Sequence, residues 1–135
     1  MVRKEKGKLK VNWLKKIANS LLQLQEFEGV ELSIYITDDD TIRELNRNYR
    51  GMDKATDVLS FILNEKVGEY RLLGEIVISA DTANRQAQES GYSLEEEVKR
   101  LLVHGFVHLL GYDHEKDEEE ERIFKKLEEE LLSKL

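Results

Sequence analysis

From Ser93 to His114 the sequence writes the start, the body and the stop of one helix. Ser93 followed by Glu96 is a capping box, in which each side chain satisfies the other residue's backbone N–H. Leu94, Val98, Leu101, Leu102 and Gly105 then recur at helical spacing, and from Val103 onward nearly every residue except the histidines is apolar. That second half offers no face to water, so it belongs inside the domain with the other elements packed around it. The rest of the chain is expected to build its core on this helix.

The helix also carries the chain's chemistry. His104, His108 and His114 are the only histidines. Residues four apart stand on one face of a helix, so His104 and His108 can offer two imidazoles to a common ion. Gly111 can stop the helix by taking a left-handed conformation, and the returning chain would bring His114 round as a third donor. Three neutral imidazoles leave one tetrahedral position open, the pattern of catalytic zinc. One Zn2+ is the expected cofactor, with other divalent transition ions able to use the same donors. The chain has no cysteine, so disulfides and thiolate ligands are excluded. A single histidine on such a helix is ordinarily packed or solvent-facing; three in this arrangement, with none elsewhere, point to metal. On the helical wheel His104 and His108 fall at the edge of the apolar stripe, in line with Glu97 and Leu101, so they should line a cleft at the margin of the core.

The spacing matches the metzincin protease pattern H-E-x-x-H-x-x-G-x-x-H, except that Gly105 stands where the glutamate should be. That glutamate takes the proton of the attacking water, and glycine cannot. The associated Met-turn is missing too, because the only methionines are Met1 and Met52. A base would have to come from another segment, with Asp113, Glu115, Asp57 and Glu75 as candidates. Each could equally hold an imidazole N–H or be an ordinary surface acid.

Taken in order, residues 12–25 read as an amphipathic helix capped by Asn12, with Leu14, Ile17, Ala18, Leu21 and Leu24 on its apolar face. Val30, Leu32, Ile34 and Ile36 alternate with Glu31, Ser33, Tyr35 and Thr37, which predicts a half-buried strand. A second helix starts at Asp38-Asp39-Asp40 and ends before Gly51, with Ile42, Leu45 and Tyr49 as its apolar residues. Arg43, Arg47 and Arg50 form a basic stripe on it, extended by Lys54; alone, the stripe reads as a solvated face. The nearly continuous apolar run over residues 57–63 predicts a central strand covered on both faces. Residues 64–70 with Gly68 suggest a hairpin connection to a strand from Leu72 to Ser79. A short helix over Asp81 to Glu89, closed by Gly91, precedes the central helix. A last helix runs from about Asp117 to Lys134 and packs through Ile123, Phe124, Leu127 and Leu131.

With 135 residues, the chain is expected to be one domain over 1–135. Helices and strands are interleaved without strict alternation, so the fold class is α+β: a small mixed sheet of three to four strands packed by about five helices. The basic N-terminus is followed by no apolar run, so neither a signal peptide nor a membrane partner is expected and the location is cytoplasmic by default. The net charge of −7 argues against nucleic acid until its distribution is considered. Residues 1–54 carry a net +2 and residues 55–135 a net −9, much of it in the last helix, so a local basic surface is compatible with the total.

The histidine stretch, the segment from Leu45 to Phe61 (LNRNYRGMDKATDVLSF) and Leu73-Gly74-Glu75-Ile76-Val77-Ile78 together resemble the YbeY family of bacterial metal-dependent endoribonucleases, over about residues 30–125. The resemblance implies single-stranded RNA, ribosomal RNA and the ribosome as partners, with no DNA, and a role in ribosomal RNA maturation and ribosome quality control. It implies that His104, His108 and His114 hold the metal, that Arg50 is the functional arginine of the same cleft, and that residues 53–60 lie beside it. It also implies an N-terminal strand, for which only a short segment is available here. Ala55 stands where many relatives have proline. An RNA phosphodiester gains charge in the transition state, and Arg50 offers paired donors that fit phosphate oxygens. Arg43, Arg47, Lys54 and the tail from Arg3 to Lys10 are further candidate RNA contacts. Water and the ribose 2′-hydroxyl both remain open as nucleophile. The competing readings are a zinc peptidase without its usual glutamate, and a non-catalytic, metal-stabilised ribosome-binding module.

Overall fold

A computed structural model describes residues 2–4, 9–113, 115 and 117–135. The elements run β1 (Val2–Lys4), α1 (Val11–Leu24), β2 (Val30–Thr37), α2 (Asp39–Arg50), β3 (Val58–Val67), β4 (Tyr70–Ser79), α3 (Ala80–Ser90), α4 (Leu94–Leu109) and α5 (Glu118–Lys134). The sheet order is β1-β2-β4-β3, with β1, β2 and β4 parallel and β3 antiparallel to β4. Among the described residues this is the α+β fold, with a mixed sheet and five helices, that the sequence predicts. The short N-terminal segment does form the implied strand, pairing Val2 to Lys4 with Ile34 to Ile36.

Local chemistry fixes most boundaries. Asp38 caps α2 by accepting from the Thr41 N–H at 2.8 Å, and Gly51 closes it at φ +70°. Both halves of the Ser93–Glu96 capping box are present at α4. Asp117 caps α5 by accepting from the Glu120 N–H at 2.7 Å. The expected cap at Asn12 is not used: α1 begins one residue earlier, after Lys10, with no side-chain cap bond.

The two sheet faces are covered unequally. Ile34, Ile36, Ile76 and Ile78 pack with α1, α3, α4 and α5, with Phe106, Val107 and Leu102 of α4 wholly buried among them. On the other face Tyr35, Leu59 and Val77 pack under Ile42 of α2. Because both faces are covered, Ser33, Tyr35 and Thr37 are buried too, and β2 is not the half-buried strand its alternation predicts. Its neighbours on both sides explain this: β2 is an inner strand.

The reverse correction applies to β3. Its apolar run predicts a central strand, yet β3 lies at the sheet edge beside β4. Leu59 is buried, whereas residues 62–67 are all exposed, and the strand continues to a tight turn at Gly68 and Glu69. A shift in register between Ile62 and Glu65, with Asn64 at φ +48°, bends this outer half. Among the described residues no helix is long and apolar enough to cross a membrane.

Candidate active site

A cleft of about 850 Å³ runs along β3 and is walled by α2 on one side and α4 on the other. Residues 56–62 form its floor, Tyr49 and Arg50 its α2 lip, and His104, His108, Tyr112, Asp113 and Glu115 its α4 side. Thus the edge position of β3 creates the site. An apolar run that would be doubly covered in an inner strand here has helices on its two faces and the cleft along its free margin.

α4 can approach the floor closely because residue 105 is glycine. The Ser60 hydroxyl donates to the Gly105 carbonyl at 3.2 Å. A Cβ at position 105 would stand 2.9 Å from both the Ser60 Oγ and the Ile76 Cγ2. The glutamate of the metzincin pattern therefore has no room here, and the departure seen in the sequence is a packing requirement of α4 against β3 and β4.

His104 and His108 face one another with ring centroids 4.9 Å apart at 77°, and the buried Phe124 of α5 lies 5.0 and 4.8 Å from the two rings. The His104 Nδ1 is 2.8 Å from the Glu128 Oε2. A carboxylate only accepts, so this contact places the imidazole proton on Nδ1 and leaves Nε2 as the donor atom for an ion. His104, oriented in this way, suits a metal ligand. His114 lies outside the described residues, and among the described residues no group of three or more potential metal-binding side chains comes together.

The arginine stripe divides. Arg43 forms two hydrogen bonds to Asp53, at 2.9 and 3.3 Å, and Arg47 lies 3.8 Å from the same carboxylate. The hydrogen bond from Arg43 holds the Asp53 carboxyl below its ordinary value. Asn46, nearly fully buried, donates to the Lys54 carbonyl at 2.9 Å. These contacts pin the loop after α2 although Ala55 offers no proline rigidity. Arg50 stands apart from them, exposed and lining the cleft, whereas Lys54 does not line it.

Of the four candidate bases, Asp57, Asp113 and Glu115 line the cleft. Glu75 does not: it accepts from the Ser33 hydroxyl at 2.8 Å and pairs with Arg3 at 3.5 Å. Residues alternate faces along β4, and Gly74 and Ile76 already face α4. Asp57 accepts from the Val58 N–H at 2.7 Å and from Gln86 at 3.3 Å, which fixes its carboxylate. Two turns of α4 before His104, Glu97 is buried, and burial pushes its carboxyl above the ordinary value; Arg100 opposes this and Asp57 adds to it.

A family profile described as Endoribonuclease YbeY matches residues 2–135. The chain belongs to the YbeY family. An Endoribonuclease YbeY of Aquifex aeolicus (strain VF5) is 58% identical over 135 residues, covering 100% of this chain and 90% of that relative. One from Bacillus subtilis (strain 168) is 44% identical, covering 93% and 88%. The solution structure of TM1509 from Thermotoga maritima superposes with a TM-score of 0.61 at 30% identity, over 99% of this chain and 91% of that one. YbeY membership and the closed packing at Gly105 together set aside the zinc-peptidase reading.

Three features of the YbeY cleft were not predicted from the sequence. Glu128 looks like one more acid in an acidic helix, Ser60 falls in the segment expected beside the cleft but not as a partner of Gly105, and Tyr49 looks like a core residue of α2. The structure puts the first on His104 and the second under Gly105. The third is left open to solvent at 69% exposure.

Proposed function

We propose that this chain is a metal-dependent endoribonuclease that cleaves single-stranded RNA in the cleft along β3, acting in ribosomal RNA maturation and ribosome quality control in the cytoplasm. His104, His108 and His114 hold the ion, and Arg50 acts on the scissile phosphate. The observation that carries the reading is the meeting of Arg50 with the two imidazoles in one cleft, from opposite walls. Support for the activity comes from relatives that carry the name endoribonuclease over nearly their whole length.

When bound, the ion supplies Lewis acidity at a phosphoryl oxygen and lowers the pKa of a water towards ~7. Arg50 supplies planar, paired N–H donors that take up the charge added at the phosphate in the transition state. Glu128 holds the His104 ring at Nδ1. Asp57, Asp113 and Glu115, which line the cleft, are the candidates to receive a proton from the nucleophile, whether that is water or the ribose 2′-hydroxyl.

The test is cleavage of single-stranded RNA by zinc-loaded protein. Arg50→Ala is expected to lower kcat/KM by about 10²–10³-fold while metal content stays as in the parent. Product ends separate the nucleophiles, since a 2′,3′-cyclic phosphate implicates the 2′-hydroxyl. Metal-loaded protein that leaves RNA intact and cleaves peptides instead would overturn the proposal.

A further inference from the structure

Tyr49 breaks the rule that the apolar face of a helix is buried. Ile42 and Asn46 are nearly fully buried on α2, and Tyr49 continues their row at i+7, yet its side chain is 69% exposed. The sheet has run out beneath it: β3 is the last strand, and beyond it lies the cleft. The ring is nevertheless held in place. It meets Phe61 edge to face, with centroids 5.3 Å apart at 64°. An aromatic ring braced by a second ring and open on its remaining surface is a prepared platform for another flat, polarisable group.

The neighbours specify that group. Arg50 is the next residue and lines the same lip, so a ligand that gives its phosphate to Arg50 carries its attached ring past Tyr49. Ile62, 62% exposed, adds apolar surface to the floor of the same cleft. We propose that Tyr49 is a stacking platform for a nucleobase of the RNA strand, next to the phosphate bound by Arg50. This rests on the endoribonuclease reading and adds a base subsite to it. The subsite also selects strand type. A base inside a duplex is already stacked on both faces and cannot reach the ring, whereas an unpaired base can, at a cost in unstacking that the new contact offsets.

The experiment measures KM and kcat on a short single-stranded RNA with one cleavage site, and on a series in which single positions are made abasic. Tyr49→Ala is expected to raise KM about tenfold and to move kcat by less than about threefold, because stacking acts on bound substrate and transition state alike. Tyr49→Phe keeps the ring and should track the parent. In the parent, one abasic position beside the cleaved bond should raise KM by a similar factor. In Tyr49→Ala that same position should have no further effect. Equal abasic penalties in the parent and in Tyr49→Ala would overturn the platform, as would a loss in Tyr49→Phe as large as in Tyr49→Ala, which would assign the role to the hydroxyl. A parent that leaves every RNA uncut overturns the proposed function itself, so the two failures are distinguishable.

Discussion

At Gly105 two requirements meet in one residue. Glycine costs helix stability relative to alanine, by about 1 kcal/mol in an exposed position. Here a Cβ would press at 2.9 Å on a β-branched side chain and on the Ser60 hydroxyl that donates to the Gly105 carbonyl. Neither neighbour is the far end of a flexible chain, so the strain outweighs the helix gain. Gly105→Ala is expected to destabilise the protein by about 1–3 kcal/mol in urea unfolding. It should also push α4, with its histidines, away from the cleft floor. A Gly105→Ala protein as stable as the parent would show that the floor can give way. The residue also explains a limit of sequence reading. The missing glutamate was visible at once, but its cause involves Ser60 and Ile76, which lie far away in the chain.

Among the elements, α2 and α3 are joined end to end by their first turns. The Asp39 carboxylate accepts from the Ser79 hydroxyl and the Thr82 hydroxyl, each at 2.6 Å, and from Arg85 at 2.9 Å. Asp81 of α3 in turn accepts from the Asp39 N–H at 3.0 Å. Burial alone would raise the Asp39 carboxyl, but the three donors outweigh it and hold it below its ordinary value. A group depressed on folding stabilises the protein above its unfolded pKa, and that contribution disappears as the pH falls through the folded value. Asp39→Asn is therefore expected to lower Tm at pH 7, by roughly 3–8 °C for a loss of about 1–2 kcal/mol. The gap between the two proteins should close as the pH falls below about 4. Melting curves across that range check it, and a constant gap would remove Asp39 from the pH dependence. At this scale the helices were legible because their caps and periodicities are local: Asp38, Gly51, Ser93 with Glu96, and Asp117 each mark a boundary within a few residues. The place of β3 in the sheet was not legible. Strand order is set by long-range pairing, and an apolar run serves a cleft floor as well as it serves a central strand.

For the molecule as a whole, the site depends on parts that no single segment contains. α2 and α4 cover opposite faces of the sheet and flank the cleft along β3, and α5 supports the cleft from behind by putting Phe124 against both histidines and Glu128 on one of them. The proposed ion would therefore link α4, braced by α5, to the returning chain. Zinc is expected to raise Tm and a chelator to reverse the rise, with about 2.7 kcal/mol of stabilisation at a hundredfold excess over Kd. Glu128→Gln should weaken zinc binding by about 10–100-fold in a chelator competition, without changing the fold. Unchanged affinity would remove Glu128 from the site. The histidine spacing and Arg50 could be read from the chain because helical geometry and a continuous motif carry them. Glu128 could not, since nothing local distinguishes it from Glu129 or Glu130, and Tyr49 could not, since only the end of the sheet exposes it.

An open strand edge is also a hazard, because unpaired backbone groups invite a strand from another copy to add on. β3 has such an edge along its length, and its two halves avoid the hazard differently. The outer half, where Ile62, Leu63 and Val67 are exposed, is broken by the bend at Asn64 and interrupted by Glu65 and Lys66. The inner half carries no such charges and instead lies between the walls of α2 and α4, which flank its edge. The walls that shape the cleft thus also guard this edge against pairing with another copy, so widening the cleft would expose a strand edge as well as a site.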